Sequence, residues 1–227
     1  MVQQAVASIA HEIRQPLGAI VTNAGAAVRW LERTPPDLGE AQAALTSIVT
    51  DAHRANEVIA GIRAIFDRGS QQRIALDVNK LILAVLMILS DELQGHQITV
   101  ETELIDDPPP VLADRVQLQQ VVINLIINAI EAMSSVVGRA RIVRIKSELY
   151  ESDGLLVSVE DSGSGIDPEK MERIFNPFFT TKAHGLGIGL SICRSIIEAH
   201  DGRLWASAGI HHGSVFQFVL PKGSLEA

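Results

Sequence analysis

The sequence has one cysteine in 227 residues. A single thiol cannot close an internal disulfide, so nothing in the chain calls for an oxidising compartment. Long apolar runs are also missing. The longest, Leu81 to Leu89, falls well short of the about 20 residues that a membrane span needs. No basic stretch is followed by an apolar segment and a cleavage site, which argues against a secretory leader. Positive charge is scarce: 19 Lys and Arg against 27 Asp and Glu give −8, a balance unfavourable to nucleic acid or an anionic membrane surface. Internal repeats and low-complexity segments are absent. A folded chain of this length buries roughly 70% of its unfolded surface, ample for a core. The expectation is a soluble cytoplasmic protein of one or two domains, with no nucleic-acid partner and no direct membrane contact.

What is present divides at about residue 70. In the first part apolar residues recur at Val2, Val6, Ile9, Ile13, Leu17, Ile20, Ala24, Ala27 and Leu31, a heptad seam with a stutter at Pro16. Pro16 removes an internal hydrogen bond and should bend the helix. Thr34-Pro35-Pro36 stops the run, and Asp37 with Glu40 reads as a capping box opening a second helix. Its seam is Leu45, Ile48, Ala52, Ala55, Ile59, Ile62 and Phe66, with Val49, Val58 and Ile65 adding a second stripe. A lone hairpin cannot cover so wide a stripe. Two hairpins from two chains can, as an antiparallel helical hairpin doubled into a dimeric four-helix bundle. A homodimer is therefore expected through residues 1–69.

Residues 70–227 read as a second domain. Ile74 to Val78, Ile98 to Leu104, Ile142 to Tyr150, Leu155 to Glu160, Arg203 to Ser207 and Val215 to Leu220 alternate as strands. Asn79 to Leu93, Asp114 to Met133 and Gly187 to His200 are helical, and Asp106 to Pro110 is a turn. The fold class is α+β: the hairpin, then a sandwich of helices on one face of a mixed, mainly antiparallel sheet. The stretch Ser162 to Ala183 is long for a plain connection and, with one short helix near Glu169 to Arg173, reads as functional.

Four groups of residues can carry chemistry. His11 falls between Ile9 and Ile13, on the side of the helix away from the seam. Glu12 adjoins it, and Gln15 lies one turn above on the same face. A neutral imidazole is a nucleophile near pH 7, and a carboxylate on its second nitrogen raises its basicity. Asn124 and Asn128 place two amides on one stripe of an otherwise apolar helix. They either satisfy each other and a neighbouring loop or present carbonyl oxygens to a hard cation. Asp161, Gly163, Gly165 and Ile166 end a strand, with Asp161 able to accept from an exocyclic amine. Gly185, Leu186, Gly187, Gly189 and Leu190 open a helix, where backbone amides and the macrodipole favour phosphate. No Lys follows these glycines and the GxGxxG spacing is absent, so neither a P-loop nor a dinucleotide fingerprint is present. Between the last two groups lie Phe175, Phe178, Phe179, Thr181 and Lys182; three of the chain's six Phe cluster there, and Lys182 could reach phosphate. His211 and His212 lack ligand partners at zinc spacing, Cys193 reads as core, and Trp30 and Trp205 read as structural.

The order His-Glu-Ile-Arg-Gln-Pro-Leu, Asn-Leu-Ile-Ile-Asn-Ala, Asp-Ser-Gly-Ser-Gly-Ile, Phe-Asn-Pro-Phe-Phe-Thr-Thr-Lys, Gly-Leu-Gly-Ile-Gly-Leu-Ser resembles the H, N, G1, F and G2 boxes of sensor histidine kinases of two-component systems. Gln-Pro-Leu after the histidine is similar to the oxygen- and dicarboxylate-sensing branch. The resemblance implies a dimerisation and phosphotransfer hairpin followed by an ATP-binding domain of the GHKL, or Bergerat, type. It implies His11 as phospho-acceptor and Glu12 as its base. Asn128 is then the Mg²⁺ ligand, with Asn124 in support, and Asp161 reads adenine beside Gly163, Gly165 and Ile166. Phe175 to Lys182 becomes the ATP lid, and Gly185, Gly187 and Gly189 hold phosphates, with Leu186 and Leu190 between and after them. The partner implied is a response-regulator receiver domain. Gln15 stands where many relatives carry the Thr or Asn that orients water for dephosphorylation, and an amide can still orient water. Residues 69–72 are the expected hinge. A GHKL module without transfer chemistry and a non-enzymatic dimer adaptor are the alternatives; His11 beside Glu12 disfavours the first, and the glycine-rich loops disfavour the second.

Overall fold

The computed structural model describes residues 2–66, 73–151, 154–180, 187–209 and 212–223; within the first two helices the side chains described are those of residues 15–49, 51, 52 and 55. The chain forms two compact units, Met1–Asp67 and Arg68–Ala227.

The first unit is a helical hairpin, α1 (Val2–Leu31) and α2 (Leu38–Phe66). Helix α1 continues through Pro16. Small side chains let the two backbones approach: Ala27, Ala41 and Ala55 are buried. Asp37 caps α2, accepting from the Glu40 amide at 3.1 Å. The return arm of the expected capping box is replaced, because the Asp37 amide donates to the Trp30 carbonyl at 3.0 Å. This closes the turn, and the Arg33 guanidinium lies 3.8 Å over the Trp30 ring. A second apolar stripe emerges on α1: Leu17, Val21, Val28 and Leu31, spaced four, seven and three, are about half or more exposed, as are Leu38, Leu45 and Val49 of α2.

In the second unit, β1 (Ile74–Leu76) pairs antiparallel with β3 (Val111–Ala113). The main sheet has five strands in the order β2 (Ile98–Leu104), β4 (Arg141–Tyr150), β5 (Gly154–Asp161), β7 (Ser214–Pro221), β6 (Arg203–Ala208). Among the described strands only the β2–β4 pair is parallel, so the sheet is mixed and mainly antiparallel, as expected. The apolar stretch expected as one helix breaks at Leu89 into α3 (Val78–Ile88) and α4 (Ser90–Gly95). Strand alternation sorts the two faces. Val143, Ile145, Phe216, Phe218 and Leu220 point inward and are buried. They face α5 (Arg115–Met133) and α6 (Gly189–Ala199). The outer face carries Arg144 paired with Glu101 at 2.8 Å and Glu160 at 3.1 Å, half-exposed ion pairs of little net stability.

Helix α5 has the length and apolar character of a membrane span. Here it is the central core helix: Leu118, Val121, Val122, Leu125, Ile126 and Met133 have no exposed surface. Asp114 caps it through Oδ1, which accepts from Val116 N at 2.9 Å and Gln117 N at 3.1 Å, a contact worth about 1 kcal/mol.

Candidate nucleotide site

Helix α5 places its two asparagines four residues apart on a half-buried flank between apolar stripes. That spacing sets them on neighbouring turns of one face. Asn124 Nδ2 contacts Cys193 Sγ of α6 at 3.7 Å. A Cβ on Gly189, the first residue of α6, would lie 3.9 Å from the same Nδ2. One asparagine is thus seated at the N-terminus of a helix that has no side-chain cap, where unsatisfied backbone amides favour an anion. With its donor turned to sulfur, Asn124 carries its carbonyl oxygen on the other side of the amide. Cys193 is fully buried, and burial pushes its thiol up to about 12, so it packs as an apolar group rather than as a nucleophile.

The far end of α5 meets the turn after β5. Ser164 N donates to Ala132 O at 3.3 Å, and Ser162 Oγ donates to Ala140 O at 3.0 Å. Arg139 Nη2 donates to Gly163 O at 2.7 Å. These bonds fasten residues 162–165 to the end of the helix and the loop that follows it. Asp161, 2% exposed, accepts from Gly163 N at 2.7 Å and from the backbone amide of Ser214. Burial pushes the Asp161 carboxyl above the usual carboxylate value; the Gly163 and Ser214 amides pull against it, Glu160 adds to the rise, and Arg139 opposes it.

Gly213 was absent from the expected site, and the structure makes it necessary. Its φ is +77°, and a Cβ there would stand 1.8 Å from the Asp161 carbonyl oxygen. Only glycine lets the β6–β7 connection come close enough for Ser214 N to hold the carboxylate. Its signal in the sequence was the Gly213-Ser214 pair opening the last strand. Gly165 also packs on Gly213, its own Cβ position 3.1 Å from Gly213 O, and Ile166 follows it, half-buried.

The phenylalanine segment divides by role. Phe175 is 4% exposed, edge-on to Phe216 at 6.4 Å, with the Arg194 guanidinium 4.0 Å over its ring. It anchors the segment to β7 and α6. Phe179 is half-buried under Arg173, at 4.8 Å. Phe178 is exposed, and its amide donates to Gly187 O at 3.0 Å. Gly187 has φ +66°, and a Cβ there would meet Phe179 O at 2.5 Å. Thr181, Lys182, Gly185 and Leu186 lie outside the described residues; Gly187, Gly189 and Leu190 lead into α6. His11 and Glu12 are on α1, with their side chains outside the described residues, and Gln15 is exposed. The expected hinge at residues 69–72 is also outside. Among the described residues no cluster of His, Cys, Asp and Glu could hold a metal.

The structure therefore gathers Asn124, Gly189 and Cys193 at one place along α5. It gathers Asp161, Gly163, Gly165 and Gly213 at the end of α5, eight residues further on, or about 12 Å along a helix.

Residues 113–224 match the family described as histidine kinase-, DNA gyrase B- and HSP90-like ATPase, and residues 1–70 match the His Kinase A (phospho-acceptor) domain. The sensor histidine kinase TmoS of Ectopseudomonas mendocina is 39% identical over 95% of this chain and 22% of its own length. The sensor protein FixL of Bradyrhizobium diazoefficiens is 36% identical over 94% of this chain and 42% of its own length. The chain thus spans less than half of either relative. Among solved structures, the catalytic domain of histidine kinase ThkA is 39% identical with a TM-score of 0.58, over 66% of this chain and 97% of that one. ThkA in complex with the response regulator protein TrrA is 30% identical with a TM-score of 0.70, over 99% of this chain and 63% of that one. A phospho-acceptor domain followed by an ATPase domain, in the order that the sequence motifs imply, identifies the chain as a member of the sensor histidine kinase family.

Proposed function

We propose that the chain is an ATP-dependent protein-histidine kinase core that phosphorylates His11 and passes the phosphoryl group to an aspartate of a response-regulator receiver domain. The observation that carries this reading is the pairing of a buried, amide-held Asp161 at the C-terminal end of α5 with Asn124, midway along α5, against the open N-terminus of α6. A carboxylate that accepts an adenine amine and a helix start that accepts phosphates are the two ends of a nucleotide site. The hairpin of residues 1–69 is then the phosphotransfer domain, and residues 70–227 the catalytic domain.

In the transfer, His11 Nε2 forms a bond to the γ-phosphorus as the bond to the β–γ bridging oxygen breaks. ADP leaves, and the Nδ1 proton of the imidazolium passes to Glu12. Charge on the transferred group is met by backbone amides of residues 187–190 and by Lys182. The amide oxygens of Asn128 and Asn124 suit Mg²⁺, a hard cation that prefers oxygen ligands and retains water. That ion, when bound, neutralises charge on the β- and γ-phosphates. Phe175 contributes by anchoring the lid segment, to which Phe179 and Thr181 also belong. Gln15, exposed one turn after His11, is the candidate for orienting water in dephosphorylation.

Binding should also report Asp161 directly. The ionised carboxylate is the stronger acceptor for the adenine amine, so ATP affinity should fall as the pH drops through the raised Asp161 value. The stability sign is opposite. A carboxyl whose folded value is raised binds its proton more tightly in the folded state, so its burial penalty is present above that value and relieved below it. Calorimetric titration with ATP across the acid range should show weakening that Asp161→Asn, weaker at every pH, lacks. An equal pH dependence in the variant would remove Asp161 from this role.

Dimerisation is supported by the exposed stripes of Leu17, Val21 and Val28 on α1 and Leu45 and Val49 on α2. Burying a valine or leucine contributes about 1.5 kcal/mol or more. Val21→Glu with Leu45→Glu removes four such side chains per dimer and should weaken association at least ~100-fold. Sedimentation velocity should show dimers for the parent chain and monomers for the variant; a monomeric parent chain would contradict the bundle.

A further inference from the structure

Helices α5 and α6 run antiparallel and pack along each other, with polar contacts at both ends of the pairing. Near the site, the contacts are to Cys193 Sγ: Asn124 Nδ2 at 3.7 Å and Val121 O at 4.0 Å. Sulfur is a weak donor and acceptor, so neither contact fixes how far one helix slides along the other. At the opposite end, Asp114 N donates to His200 Nε2 at 2.9 Å. The His200 ring is 1% exposed, and its Nδ1 lies 2.7 Å from Ile196 O. A carbonyl can only accept and an amide can only donate, so the two partners select the neutral ring with its proton on Nδ1. The residue held by Nε2 is itself the cap of α5. On the other flank Arg73 pairs with Asp201 Oδ2 at 2.8 Å and donates to Ala199 O. Asp201 is 70% exposed, and exposed pairs contribute little, so the buried imidazole is the strongest of these polar ties.

We infer that His200 is a positioning residue of the nucleotide site: it sets the register of α6 along α5, and with it the spacing between the α6 N-terminus at Gly189 and the Asn124–Asn128 stripe. The inference rests on the ATP reading above and adds which residue holds the phosphate end in shape. The adenine end has its own fastening, through Ala132 O, Ala140 O and Arg139. Loss of the His200 bond should therefore loosen one end of the site and spare the other.

The test compares two ligands on the full chain: ATP with Mg²⁺, and ADP in a chelator. His200→Phe keeps a ring but leaves the Asp114 amide without its acceptor; His200→Gln can return an acceptor oxygen to that place. Mg-ATP affinity should fall about tenfold in His200→Phe, because an α6 N-terminus out of register gives up part of its phosphate contacts, while ADP in chelator changes less than about twofold. His200→Gln should recover most of the loss, and KM for ATP should rise in His200→Phe with kcat nearly unchanged. Should His200→Phe fail to fold, His200→Asn, whose amide ends short of Asp114 N, should show the same split. Equal losses for both ligands, or no recovery with Gln, would reduce His200 to a general core residue and overturn the inference. A parent chain that binds neither nucleotide would overturn the ATP reading itself.

Discussion

Replacing His11 with glutamine is expected to reduce phosphoryl incorporation from ATP to background while changing ATP affinity less than about twofold. The two halves of this result come from different parts of the chain. The nucleotide-site residues, Asn124, Asp161, Gly187 and Gly189, belong to the unit Arg68–Ala227, and His11 belongs to Met1–Asp67. Glutamine is polar and a good helix former, so α1 keeps its backbone. What it lacks is a nucleophilic nitrogen, since the amide lone pair is delocalised. No neighbouring group replaces it: Glu12 can take a proton, yet a carboxylate product would be an acyl phosphate, far less stable than a phosphohistidine to hydroxylamine. Glu12→Gln, which leaves the nucleophile and removes the base, should instead retain slow labelling, reduced by the ~10²–10⁴ typical of a lost general base. Filter-binding with labelled ATP measures the rates, and calorimetry the affinities. Labelling that survives His11→Gln at the parent rate would move the acceptor elsewhere.

The second large effect is at Asp161. Asp161→Ala deletes the carboxylate proposed to accept from the adenine amine, and it leaves the Gly163 and Ser214 amides without their acceptor. A hydrogen bond to a charged group contributes about 1.5–3 kcal/mol, and each orphaned buried amide costs about 1–3. The lost hydrogen bond lowers ATP affinity by about 10–100-fold, whereas the orphaned amides cost the variant fold stability in the free and bound states alike. On the proposed reading the same carboxylate also sets base choice. Adenine presents an amine where guanine presents a carbonyl oxygen, so GTP should bind the parent chain at least ~100-fold more weakly than ATP, because two acceptors would face each other. Asp161→Asn, which offers both donor and acceptor, should narrow that gap. An Asp161→Ala variant that binds ATP as the parent does would show that adenine is read elsewhere.

How much of this was legible depends on how local each cause is. Strand β2 was read to the residue because Ile98 to Leu104 alternates and is bounded by polar turns. The Asp114 start of α5 was legible because an N-cap acts over two or three residues. The break between α3 and α4 at Leu89 carries no Gly or Pro, so nothing in the apolar run announced it. Strand β3 was hidden by Pro108 to Pro110, and its partner Ile74 lies far away in sequence. On α1 the sequence does not set Val21 and Val28 apart, because Ile20, Ala24 and Ala27 supply a neighbouring stripe; packing against α2 separates the two.

The site followed the same rule. Asp161, Asn124 and the glycines were legible as motifs, each within a few residues. The closeness of Gly213 to Asp161 and of His200 to Asp114 depends on chain segments that only the fold brings together. Phe175 was grouped with the lid because it sits among polar residues, and its burial against Phe216 and Arg194 depends on partners 41 and 19 positions away.

The most direct test is to incubate the chain with γ-labelled ATP and Mg²⁺, then ask where the label sits and how it hydrolyses. The kinase reading requires label on the peptide containing His11, lost in acid, kept in base, and discharged onto a receiver-domain aspartate. Label that resists acid, or maps to any other residue, or never appears although ATP binds, would contradict it.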